Sequence, residues 1–305
     1  MRAWTAGTTL DSSTMTRNAP PLRPRPKPHR NPWYWLVFVV VFLLILVPEL
    51  LRGDGAERGP SRAWIAPVVL VVGVGGYVAW TVLRARRFNA ENSAALAMLR
   101  EGAFDAARER FEALVKRHPR PRDLNHVALF NLAWTELLAG ELALARQRMA
   151  QIEAERDPKA RSGFVTLLPS RLAYVHALQG ELDDARAWLR TSRERGVEET
   201  TNRAVIEAWE TASDAIVACR AGEPARAKEL LAARWLALEN SVTGELLRPL
   251  RAVRAFALDA ASKGTDAAAV EAQLQPVREH AGSELRHLGA SWPAMRAFLA
   301  ARKLG

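Results

Sequence analysis

Along most of the chain apolar residues recur three and four positions apart, the spacing of a helix with one buried face, and polar turns interrupt the pattern at regular intervals. Four of these interruptions sit in the same short phrase: REGAFDAARERF from Arg100, LAGELALARQRM from Leu138, LQGELDDARAWL from Leu178 and RAGEPARAKELL from Arg220. Their glycines, Gly102, Gly140, Gly180 and Gly222, are 38, 40 and 42 residues apart. Self-similarity at such a period predicts stacked helical hairpins, each unable to bury its apolar face alone.

Within each phrase the glycine ends one helix, because a left-handed turn there is free of the Cβ penalty. An apolar residue or proline follows at plus two (Phe104, Leu142, Leu182, Pro224), and an alanine at plus five (Ala107, Ala145, Ala185, Ala227). A large apolar residue stands at plus nine: Phe111, Met149, Leu189 and Leu231. The alanine lets paired helices approach, and the larger residue fills the same face one turn later.

This grammar resembles the second half of the tetratricopeptide repeat. The first copy carries the family's Gly, aromatic, Ala, aromatic and Pro through Gly102, Phe104, Ala107, Phe111 and Pro119, and Leu132 and Ala133 stand where the family's first helix has Leu-Gly. The resemblance implies an all-α fold, a right-handed α-solenoid over 88–290 with a groove lined by the first helix of each hairpin. Family members that clamp a peptide carboxylate use Lys, Asn and Arg at set positions of those helices. Asn131 and Arg171 fall at two of them, while Asn92, Leu96 and Leu167 occupy others, so the full clamp is not present. Asn131 and Arg171 are the expected groove residues, followed by Trp134 and His176.

A fifth glycine, Gly264, suggests a degenerate hairpin over roughly Glu245–Arg278, although Thr265, Asp266 and Gln273 break the phrase. The end of the chain, 291–305, reads as a capping helix with Ser291 as N-cap and Pro293 in its first turn.

Two apolar stretches precede the repeats. Residues 33–51 extend about 28 Å as a helix, near the thickness of a bilayer core, and 64–83 carry no charge. Trp33, Tyr34, Trp35, Trp64 and Trp80 mark their ends. The expectation is two transmembrane helices joined by a loop over 52–62, behind a basic, proline-rich tail over 1–32. Cations at Arg23, Arg25, Lys27 and Arg30, and again at Arg84, Arg86 and Arg87, place both termini in the cytoplasm by the positive-inside rule, in a bacterial inner membrane.

The net charge of +10 does not argue for nucleic acid. Residues 1–32 carry +5 and 33–90 carry +3, leaving +2 for the repeats. No set of base-contacting positions recurs from unit to unit. The one cysteine, Cys219, reads as a packing residue without a disulfide partner. His280, Glu284 and His287 share a helical face and are of metal-ligand type, but Gly282 and the polar setting point to a solvated surface. Arg52-Gly53-Asp54 is ordinary turn chemistry, and PPLRPRPKPHR a basic lead-in. No catalytic motif, cofactor fingerprint or metal motif emerges.

These features lead to the expectation of a membrane-anchored scaffold that is not an enzyme, binds proteins or peptides in its groove and touches lipid through its two spans. The alternatives are a tethered enzyme with a metal site near the C-terminus and a periplasm-facing envelope-assembly factor.

Overall fold

The structure is a computed structural model, and it describes residues 65–119, 123–155, 166–196, 202–241, 244–278 and 285–304. The chain divides into two compact units, Met1–Tyr77 and Val78–Gly305. Of the first, residues 65–77 are described and are helical. Among the described residues there is no strand.

Ten helices pair around the five glycines: α1 (Ile65–Arg100) with α2 (Phe104–Arg117), α3 (Asp123–Leu138) with α4 (Leu142–Ala154), α5 (Leu168–Gln179) with α6 (Leu182–Gly196), α7 (Arg203–Arg220) with α8 (Pro224–Ser241), and α9 (Gly244–Ser262) with α10 (Ala267–Arg278). Two short helices follow, α11 (Arg286–Ala290) and α12 (Pro293–Ala301). Each second helix packs on the first helix of the next hairpin, α2 on α3, α4 on α5, α6 on α7 and α8 on α9. This is the neighbour-to-neighbour order of stacked hairpins.

Four turns are built alike. Their glycines have φ between 79° and 87°, and the following residue donates its N–H five residues back: Ala103 to Met98, Glu141 to Glu136, Glu181 to His176 and Glu223 to Ala218, at 2.8–3.0 Å. That bond satisfies a carbonyl the helix end would otherwise leave open. The fifth turn is shifted by one: Gly264 itself donates to Asp259, and Lys263 joins it at positive φ. Asp266, which breaks the sequence phrase, accepts the N–H of Ala269 and so caps α10.

The core repeats with the phrase. Ala107, Ala145, Ala185 and Ala227 are wholly buried, as are Phe111, Met149 and Leu231, with Leu189 at 2% exposure. Burying each of the larger side chains contributes about 2–3 kcal/mol. A ladder of ion pairs links successive hairpins: Arg108 meets Glu141 at 2.6 Å and Arg146 meets Glu181 at 2.5 Å. In both rungs the arginine stands six residues after one glycine and the glutamate one residue after the next.

The expected fold class, two transmembrane helices leading into the repeats, is corrected here. Among the described residues no helix is long and apolar enough to cross a membrane. Within α1, Arg84, Arg86 and Arg87 follow directly on Leu83 without a break in the helix. α1 then continues to Arg100 as the first helix of the first hairpin. The other expected span, 33–51, lies outside the described residues, as do the tail 1–32, the loop 52–62 and Arg52-Gly53-Asp54.

A second correction concerns the C-terminus. Ser291 is not the N-cap of α12: the helix starts at Pro293 with Trp292 in the cap position, making no side-chain cap bond. The carbonyl of Ser291 is instead held by Arg220.

Candidate functional site

Aromatic residues and one arginine meet on three successive first helices. α5 contributes Arg171 and Tyr174, one helical turn apart on the same face. The Arg171 guanidinium lies 3.3 Å from the ring centroid of Trp209 on α7 and 5.2 Å from that of Trp134 on α3. Trp134 and Trp209 meet edge to face at 5.2 Å, and Tyr174 meets Trp209 at 4.9 Å and 90°. These are the geometries that ring quadrupoles favour, and a cation above such faces gains about 0.5–2 kcal/mol depending on desolvation.

Asn131 lies one turn before Trp134 on α3 and donates to Asn92 Oδ1 on α1 at 2.7 Å, tying the first two hairpins together. His176, the fourth expected groove residue, is buried at the end of α5 and pairs with Glu181 Oε2 at 2.6 Å. Thus Arg171 and Trp134 come together in one cluster, and Asn131 and His176 each serve a different local contact.

His176, Glu181 and Asp184 have ligand atoms within 4.8 Å of one another, a set that by residue type suits a metal ion. The contacts of Glu181 favour an ion-pair network. Both its oxygens accept from Arg146, at 2.5 and 2.6 Å, and one also meets His176. Burial alone would raise its pKa, but the Arg146 guanidinium and His176 outweigh that and hold it below the ordinary carboxylate value.

The C-terminal segment is part of the same site. His287 is buried and its Nε2 lies 2.9 Å from the Tyr174 hydroxyl. This corrects the solvated surface expected for that histidine; His280 and Glu284 lie outside the described residues. Burial pushes the Tyr174 phenol above its ordinary pKa, so it stays neutral in this bond. Arg220, at the end of α7, donates to Leu178 O at 2.8 Å and to Ser291 O at 3.1 Å, and its guanidinium lies 5.5 Å from the Trp292 ring centroid. Trp292 in turn packs edge to face on Phe256 of α9 at 5.0 Å.

No family model matches the sequence, and no curated protein and no solved structure matches it either.

A different surface occupies the first hairpin. A cavity of about 600 Å³ is lined by Trp80, Arg84, Arg87, Phe88, Arg117 and His118, among others. Arg84 donates to His118 Nδ1 at 2.9 Å, and Phe88 meets the imidazole edge to face. Burial and the adjacent Arg84 lower the His118 pKa, keeping the ring neutral. Arg117 pairs with Glu91. Val78, Trp80, Val82 and Leu83 are exposed along the same helix.

The sequence reading had not singled out Tyr174, Trp209 or Arg220. Tyr174 carried a signal, since it stands six residues before Gly180 as Trp134 stands six before Gly140. Trp209 has no such counterpart.

Proposed function

We propose that this chain is a protein-binding scaffold of tetratricopeptide type, which holds a segment of a partner protein against its first helices and performs no chemistry of its own. The observation that carries this reading is the Arg171, Trp134 and Trp209 cluster, drawn from three consecutive first helices and absent from the repeating core phrase. The two indoles are buried in the core and hold the half-buried Arg171 by its guanidinium, so the arginine is the group placed to meet a partner, a residue type enriched in protein-recognition hot spots. Asn131 and Asn92 extend that face with amides toward the first hairpin.

The test is crosslinking in cells expressing the full chain, followed by purification, comparing wild type with Arg171→Ala and Asn131→Ala. The expected result is one specific partner protein whose capture falls at least tenfold in the folded Arg171→Ala variant. Equal capture by wild type and variant, or turnover of a substrate by the purified chain, contradicts the proposal.

A further inference from the structure

Residues 291–305 were expected to form a capping helix, and in the described segment 285–304 Arg278 of α10 does donate to the Arg302 carbonyl at 3.3 Å. The segment's contacts also run much further back. Phe298 and Trp292 pack on Phe256 of α9, and Arg302 pairs with Asp259 of the same helix at 2.9 Å. Ser291 is gripped by Arg220 of α7, and His287 by Tyr174 of α5. A Cβ built on Gly140, at the end of α3, would lie 3.5 Å from the Ala290 Cβ. The segment therefore touches the first helices or turns of the third, second, fourth and fifth hairpins as it runs from His287 to Arg302, as a strap.

The contacts are those of a bound peptide. Leu288 and Met295 are wholly buried and Trp292 is 5% exposed, so apolar side chains supply the grip. Two polar bonds fix the register, one from the Tyr174 phenol and one from the Arg220 guanidinium. Both scaffold groups are ones that water could serve if the strap left, and Arg220 would keep its bond to Leu178 O. Tyr174 also touches Trp209, so the strap abuts the cluster that carries the functional reading.

We propose that the strap is a built-in occupant of the binding face: residues 285–299 hold it in cis, and a partner segment of the same chemistry must displace them to bind. This rests on the groove-binding reading above. The ligand class is a short helical peptide with a buried Leu or Met, an indole, and a hydrogen-bonding group that meets the phenol of Tyr174.

The test uses the full chain and a fluorescein-labelled peptide of the sequence 285–304, followed by fluorescence anisotropy. Wild type should bind weakly, because most molecules already carry their own strap. Trp292→Ala loosens the strap and leaves every first-helix residue in place, so it should bind the peptide at least tenfold more tightly. A second variant, Gly140→Cys with Ala290→Cys, brings two Cβ atoms within disulfide reach. Native Cys219 is buried, with its thiol pushed up to about 12, and does not compete for that bond. The oxidised form should bind no peptide, and a reductant should restore binding at least to the wild-type level. Equal affinity in wild type and folded Trp292→Ala overturns the proposal; if Trp292→Ala does not fold, equal binding by the oxidised and reduced double variant does so. The assay needs no cellular partner, so a negative result alongside Arg171-dependent capture would remove the strap proposal and leave the scaffold reading standing.

Discussion

The first and third hairpins share the same phrase around Gly102 and Gly180, yet their first helices present different chemistry. On α5, Arg171 and Tyr174 are packed among indoles, and Tyr174 is met by His287 from more than a hundred residues away. On α1, Arg84 and Arg87 border an open cavity beside exposed Trp80 and Leu83, and the imidazole of His118 is the main polar partner. The repeat phrase governs turns and the buried alanine stripe, and these are alike in both. What differs lies on the first helices, where the phrase makes no demand.

The largest way to break this contrast is to empty the aromatic cluster. Trp209→Ala should lower stability by about 3–5 kcal/mol, as expected for a large buried side chain. Trp80→Ala, at a position 49% exposed, should change the chemical-denaturation midpoint little. Similar losses in the two variants would show that α1 is packed as closely as the cluster shared by α5 and α7.

The turns allow a narrower comparison. Gly180 and Gly222 have φ of +84° and +82°, so alanine is strained at either, by about 1–2 kcal/mol. At Gly222 a Cβ meets open space, whereas at Gly180 it would collide with the Arg220 guanidinium. Gly180→Ala should therefore cost about 1–2 kcal/mol more than Gly222→Ala, through the displaced hydrogen bonds to Leu178 and Ser291. Equal melting temperatures would contradict the seat assigned to Arg220.

Two carboxylates, buried Glu136 and half-buried Glu181, sharpen the picture through pH. Glu181 sits below its ordinary pKa of 4.5, so its stabilising contribution is complete above 4.5 and is lost as pH falls through its folded value. Glu136 is raised, chiefly by burial and only partly relieved by Arg148, so it weakens the fold as pH rises from 4.5 through its folded value. The melting difference between wild type and Glu181→Gln should shrink below pH 4.5, whereas Glu136→Gln should gain on wild type as pH rises past 4.5. Parallel pH curves for the two variants would refute these assignments.

The smallest effect concerns Cys219, buried in α7 with its thiol pushed up to about 12. Iodoacetamide at pH 8 should leave it unmodified in the native chain and alkylate it in denaturant. Rapid native labelling would mean that α7 opens readily.

The hairpin turns were legible because their cause is local: a glycine, a small residue five positions on and a large one nine positions on. The Arg108–Glu141 and Arg146–Glu181 rungs were written at equally regular positions, but charge pairs between hairpins become visible only once the stacking is known. Asp266 looked like damage to the phrase and is a cap, since one carboxylate can serve the helix start in place of the missing pattern. Ser291 looked like a cap and is not, because the helix begins at Pro293 and puts Trp292 in the cap position. Arg171 and Trp134 were singled out in the sequence through their places on first helices, and the structure brings them side by side. Trp209 and the Tyr174–His287 pair were not, because nothing periodic marks them and their meeting depends on how the tail folds back. The apolar run of 64–83 misled by its composition: α1 carries it onward into a charged, packed helix.

The most direct test is hydrogen–deuterium exchange on the unmodified full chain. If the strap is a separable occupant, the amides of α11 and α12 should exchange at least tenfold faster than those of α5 and α7, because the strap opens while the hairpins stay folded. Exchange of all four helices at one common rate would contradict the account and make the C-terminal segment a fixed part of a single cooperative core.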